Sequence, residues 1–131
     1  MSLDIDQITS IRVEDPDAIG RAATARSRRA LSGRMMLIAA DHPARGSLAA
    51  RGRPQAMANR RDLLERLLTA LERPGVDGVL GTPDIIEDLL LLGALENRVV
   101  VGSMNRGGLA GSVFEADDRF TAYDATSISA M

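Results

Sequence analysis

Met35-Met36-Leu37-Ile38-Ala39-Ala40-Asp41-His42-Pro43 decides how the rest of the chain is read. Its first six residues are apolar without alternation. A strand of that kind is expected to be buried on both faces, as in a parallel sheet. Proline cannot continue a central strand, so the run ends at Asp41-His42-Pro43. The stretch from there to Pro54 is rich in Gly, Ser and Arg and reads as a loop.

Further along, Val76 to Leu80 reads as a second short strand ended by Gly81, and Arg98 to Ser103 as a third, again unalternating and β-branched. Between the strands lie two amphipathic helices. Residues 55–73 carry Leu63, Leu64, Leu67, Leu68 and Leu71 at helical spacing, with Asp62 and Arg66 placed as an i,i+4 pair. Thr82-Pro83-Asp84 reads as a helix start, with Thr as N-cap and Pro at the first position. Ile85, Ile86, Leu89, Leu90 and Leu92 form that helix's apolar face, and Gly93 lies at or near its end. Asp15-Pro16 is expected to open an earlier helix running to about Ala30. Phe120 to Ile128 is a candidate last one.

Strands alternating with helices indicate an α/β fold with parallel pairing. A complete (β/α)8 barrel needs ~250 residues, and the 131 residues here hold about three strands. The expectation is therefore a partial (β/α)8 TIM barrel. Residues 1–33 would be a helical extension and residues 34–131 the first βα units. Such a chain is a fragment, or a half that assembles with itself or a partner.

Composition narrows the function. Hydrophobic content of 45% and charged content of 26% are ordinary for a globular domain. No apolar run approaches the ~20 residues of a membrane helix, and the first residues lack the apolar core of a signal peptide. The expected compartment is the cytoplasm. A net charge of −2 and three aromatic residues, Phe114, Phe120 and Tyr123, argue against nucleic-acid binding. With no cysteine and a single histidine, neither a disulfide nor a zinc site is expected, and no cofactor is called for. Arg26, Arg28 and Arg29 make the end of the first helix basic, which is read as a solvated face, or as a phosphate or partner contact.

In parallel sheets, sites lie beyond the carboxyl ends of the strands. That rule selects Asp41 to Ser47, Gly81 to Asp84, and Met104 to Gly111. Asp41 is a candidate acid or base, or alternatively a cap of its own turn. His42 is a candidate proton shuttle, or alternatively a hydrogen-bonded structural residue. Asn105 and Arg106 are candidates for holding substrate oxygens. The glycines from Gly107 to Gly111 form either an anion cradle or a turn.

Ile38-Ala39-Ala40-Asp41-His42-Pro43-Ala44-Arg45-Gly46 resembles the first-strand motif of archaeal-type class I fructose-bisphosphate aldolases, a superfamily that includes deoxyribose-phosphate aldolase. Gly102 to Gly108 and Asp117 to Asp124 resemble a bacterial branch associated with myo-inositol catabolism. The resemblance implies a barrel that cleaves a phosphorylated sugar or sugar acid through a lysine Schiff base. Asp41 and His42 would be catalytic, and Ser103, Asn105 and Arg106 would bind substrate. Proline at 43 departs from the glycine of the archaeal motif. All 16 basic residues are arginines, and arginine is no substitute nucleophile. The fragment would therefore be inactive alone. Its expected partners are a small sugar phosphate, a second copy of the chain, or a missing barrel half.

Overall fold

The computed structural model describes residues 4–105 and 121–131. The three predicted strands form, shorter than expected, as β1 (Leu37–Ala40), β2 (Gly78–Gly81) and β3 (Val99–Gly102). They make one parallel sheet in the order β1-β2-β3. Among the described residues, five α-helices accompany them: α1 (Ile8–Glu14), α2 (Ala18–Ala25), α3 (Arg60–Leu71), α4 (Pro83–Leu91) and α5 (Ala125–Ser129).

Local chemistry sets the helix ends. The Asn59 side chain accepts from Asp62 N–H at 3.1 Å and caps α3 five residues later than the sequence expectation. The predicted Asp62–Arg66 ion pair forms at 2.8 Å. At the end of α4, Gly93 adopts φ 71°. Gly93 N–H reaches Leu90 O at 2.9 Å and Ala94 N–H reaches Leu89 O at 3.0 Å, a paired closure that needs a left-handed residue. The helix expected from Asp15 to about Ala30 forms as the shorter α2, and α1 precedes it where no helix had been expected. α1 ends at Glu14, and α2 starts beyond Pro16 with Asp17 as its N-cap. α5 begins at Ala125, with Asp124 capping Ser127 N–H at 2.7 Å.

The register places Ile38, Val79 and Val100 in one row and Ala40, Gly81 and Gly102 in the next, all on one sheet face. This face meets the helices. Val79 and Ala40 are wholly buried among Leu64, Leu67 and Leu71 of α3 and Ile85, Ile86 and Leu89 of α4. Each such side chain contributes about 1.5–3 kcal/mol on burial. α1 and α2 add Ile8 and Ala23 to the same core. Successive parallel strands linked by crossovers of one hand put their helices on one side.

The opposite face carries Leu37, Gly78 and Val99, then Ala39, Leu80 and Val101. On this face Val99 is buried outside the main core cluster, Leu37, Leu80 and Val101 are partly buried, and Ala39 is exposed. The expectation that β1 is buried on both faces is therefore corrected, and Met35 and Met36 lie outside the strand at 38% and 57% exposure. The barrel expectation is corrected too. The described strands form a small open sheet in which β1 and β3 are not paired with each other, so nothing here shows a barrel fragment.

The arginines after α2 stay largely exposed but are also held by hydrogen bonds and an ion pair. Arg26 donates to Leu95 O, Arg98 O and Met131 O, and Arg28 to Ser129 O. Arg29 pairs with Asp77 at 2.7 Å, whose other oxygen accepts from Met36 N–H. These contacts tie the segment after α2 to the amino ends of the strands.

Candidate site at the carboxyl ends of the strands

Because Ala40, Gly81 and Gly102 are in register, Asp41, Thr82 and Ser103 are the first residues past the three strand ends. At the usual strand spacing, Asp41 and Ser103 lie about 10 Å apart, with Thr82 between them.

Asp41 Oδ2 is held by Arg45 Nη2 at 2.7 Å, and its side chain is 16% exposed. Pro43–Arg45 forms a 3-10 turn closed by Gly46 at φ 74°, which brings Arg45 back over Asp41. His42 heads that turn. Its carbonyl accepts from Arg45 N–H and Ser47 N–H, both at 3.1 Å. Its Nε2 is buried and has no hydrogen-bond partner among the described residues. Leaving a buried polar atom unpaired costs about 1–3 kcal/mol.

On the β3 side, Ser103 N–H donates to Gly81 O at 2.9 Å and its carbonyl accepts from Tyr123 N–H at 3.0 Å. Asn105 follows two residues on, partly buried. Arg106, the glycines to Gly111 and the expected start of the last helix at Phe120 lie outside the described residues. Gly102 lets Tyr123 and Ile128 pack against the end of β3, since a Cβ there would come closer than 3.0 Å to both. The Tyr123 hydroxyl is also buried without a partner among the described residues. Burial, with the charges of Glu87 and Asp84 nearby, raises its pKa well above the ordinary phenol value.

The β2 side holds what the sequence reading missed. Thr82 is the N-cap by position, yet its hydroxyl does not cap α4. It donates instead to Asp84 Oδ1 at 2.6 Å. Asp84 Oδ2 accepts from Arg60 Nη1 at 2.6 Å, and Asp84 O accepts from Arg60 Nη2 and Arg12 Nη2. Partial burial works to raise the Asp84 pKa, but bonds from Arg60, Thr82 and Ile85 N–H outweigh it and hold the carboxyl below the usual range.

One turn further along α4, Asp88 is only 2% exposed. Arg12 grips its Oδ1 through Nε and Nη2 at 2.9 and 2.7 Å, and Arg60 grips its Oδ2 likewise at 2.9 and 2.5 Å. Arg12 also reaches Glu87 at 2.8 Å. Burial would lower the pKa of both guanidiniums, and the surrounding carboxylates reverse that. A signal existed in the sequence: Asp88 falls on the apolar stripe between Ile85 and Leu92.

Among the described residues, no group of three or more His, Asp or Glu is placed to hold a metal ion, and no helix is long and apolar enough to cross a membrane.

A family model described as Cgl0159-like matches residues 33–131. Among solved structures, the crystal structure of Cgl0159 from Corynebacterium glutamicum, a structural genomics target, is 51% identical with a TM-score of 0.89. The match covers 95% of this chain and 43% of that one, so the chain spans less than half of its relative. No curated protein matches. These findings overturn the aldolase resemblance and its link to inositol catabolism, since neither the family nor the relative is described as an aldolase.

Proposed function

The chain belongs to the Cgl0159-like family, and from that premise we propose that it supplies part of a small-molecule site at the carboxyl ends of β1, β2 and β3. In this reading the ligand is a small, hydroxyl-bearing molecule. Asp41 and His42 manage a proton on one of its hydroxyls, while Ser103 and Asn105 hold other oxygens. The observation that carries the reading is the His42 Nε2, buried and without a hydrogen-bond partner among the described residues, in the residue that follows Asp41, whose carboxylate Arg45 orients. Nε2 is a polar atom that a ligand hydroxyl would satisfy. Asp41, held in one orientation, is suited to accept a proton or to polarise a hydroxyl.

The test is nuclear magnetic resonance on 15N-labelled protein titrated with small polyols and hydroxy acids. The expected result is saturable shifts at Asp41, His42, Ser103 and Asn105, with dissociation constants in the millimolar range or tighter. His42→Ala is expected to weaken binding about tenfold, the loss of one good hydrogen bond. If no compound in the panel gives saturable shifts at these four residues, the reading fails.

A second reading, assembly with another copy of the chain, is favoured by the open sheet face. Ala39, Leu80 and Val101 face away from the helical core, and such a face is covered in most parallel sheets. Sedimentation equilibrium separates the cases. A dimer that dissociates on Ala39→Glu, a change at an exposed position, supports assembly; a monomeric wild-type chain refutes it.

A further inference from the structure

We infer that the ligand is amphipathic: its hydroxyl end sits at Asp41, His42 and Ser103, and a short apolar tail lies back along the open sheet face over Ala39, Leu80 and Val101. This rests on the placement of the site at the carboxyl ends of the strands. Side chains alternate along a strand, so residues two apart share a face. Ser103 N–H bonds Gly81 O at 2.9 Å and carries the ladder one residue past β3. Ser103 therefore shares its face with Val101. Thr82 is extended too, at φ −82° and ψ 162°, and follows Leu80 in the same way. In the adjoining strand Asp41 stands two residues beyond Ala39. The polar row of Asp41, Thr82 and Ser103 and the apolar row of Ala39, Leu80 and Val101 are thus consecutive rows of one surface.

That surface is the one the helices leave open. Ala39 is exposed, and Leu80 and Val101 are only partly buried. Leu37, Gly78 and Val99 form the next row back, so neither apolar row holds a charged side chain. A ligand hydroxylated along its whole length would cover these rows at the cost of unpaired polar groups. A ligand polar at one end keeps its hydroxyls at Asp41 and Ser103 and lays carbon on carbon beyond them. His42 Nε2, buried and without a partner among the described residues, marks the polar end. Ala39 is two residues of strand from Asp41, about 7 Å, which a tail of a few carbons spans.

The probes are 1,2-propanediol and 1,2-hexanediol, which share the diol end and differ by three methylene groups. Each is titrated into the full 15N-labelled chain while the amides of Ala39, Asp41, Leu80, Val101 and Ser103 are followed. 1,2-Hexanediol is expected to bind about eightfold tighter, about twofold for each methylene half-covered on an open face. It is also expected to shift Ala39, Leu80 and Val101 with the same constant as Asp41 and Ser103. Ala39→Asp, at an exposed position, is expected to bring the ratio of the two affinities to about two or less, because the tail would then strip water from a charge. Taking the ratio cancels any effect of the new charge on the diol end. Val101→Thr, which keeps the shape, is expected to lower the ratio about twofold, and circular dichroism checks that both variants fold. Equal affinities in the wild type, or a ratio unchanged in both folded variants, overturn the inference. So does a face already covered by a second copy, which would leave Ala39, Leu80 and Val101 unshifted. Saturable binding of both diols at Asp41 and Ser103 without the tail effect removes only the amphipathic ligand. If neither diol binds, the inference fails; if the polyols and hydroxy acids fail as well, the site reading goes with it.

Discussion

Asp88→Ala is the sharpest test of how α1, α3 and α4 are held together. The wild-type carboxylate accepts four N–H bonds, two from each guanidinium, and is almost wholly buried. Removing one partner of a buried ion pair costs about 3–5 kcal/mol, because the other charge is left uncompensated. Two features reduce the figure here. The Arg12 and Arg60 side chains are 30% and 46% exposed, so water reaches them. Each also keeps a second acid, Glu87 for Arg12 and Asp84 for Arg60. The expected loss is therefore near the lower limit, about 3 kcal/mol. Against a total stability of about 5–15 kcal/mol for a domain of this size, that is a large share. Urea unfolding followed by circular dichroism at 222 nm measures it directly, and a thermal melt is expected to show a melting temperature about 10 °C lower. Leu in place of Asp88, combined with Met at 12 and 60, removes the charges together and is expected to recover part of the loss, since apolar replacement of a whole buried ion network is often neutral. A loss below about 0.5 kcal/mol for Asp88→Ala, the size of an ordinary surface change, would refute the reasoning.

Two further outcomes follow from the packing and the charges. Gly102→Ala is expected to destabilise by about 1–3 kcal/mol, because its methyl group would press on the Tyr123 ring and Ile128; an unchanged unfolding midpoint would show that α5 shifts freely. Asp84 titrates at lower pH in the folded chain than in the unfolded one. Its stabilisation is thus complete above the ordinary carboxylate pKa near 4 and is lost as pH falls through the lower folded value. Asp84→Asn should therefore flatten that part of the acid limb of a stability–pH curve and leave its shape above pH about 5 unaltered; identical acid limbs would contradict the assignment.

Much of the framework could be read along the chain because it depends on neighbours in sequence. Unalternating apolar runs located all three strands, leucine spacing located α3 and α4, and Gly93 marked the end of α4. The same logic placed Asp41 just past β1 and Asn105 just past β3, while Ser103, expected as the last residue of the strand, lies just beyond it. Apolar runs report that a strand is hydrophobic but not which face is covered, so the open face of Leu37, Ala39, Leu80 and Val101 was read as buried. The aldolase resemblance rested on a short motif, and a short motif carries little weight beside a match along residues 33–131.

What the sequence by itself determined is the three strands with α3 and α4 between them, their parallel order and the end of the sheet at which polar side chains collect, because these follow from periodicity, capping and the position of proline and glycine. Only the tertiary structure decided that Arg12 and Arg60, 48 residues apart in the chain, converge on Asp88, that Thr82 donates to Asp84 instead of capping α4, and that His42 Nε2 is left without a partner among the described residues. The physical reason is that hydrogen bonds and ion pairs act through space over about 3 Å, and sequence separation carries no information about which side chains come that close.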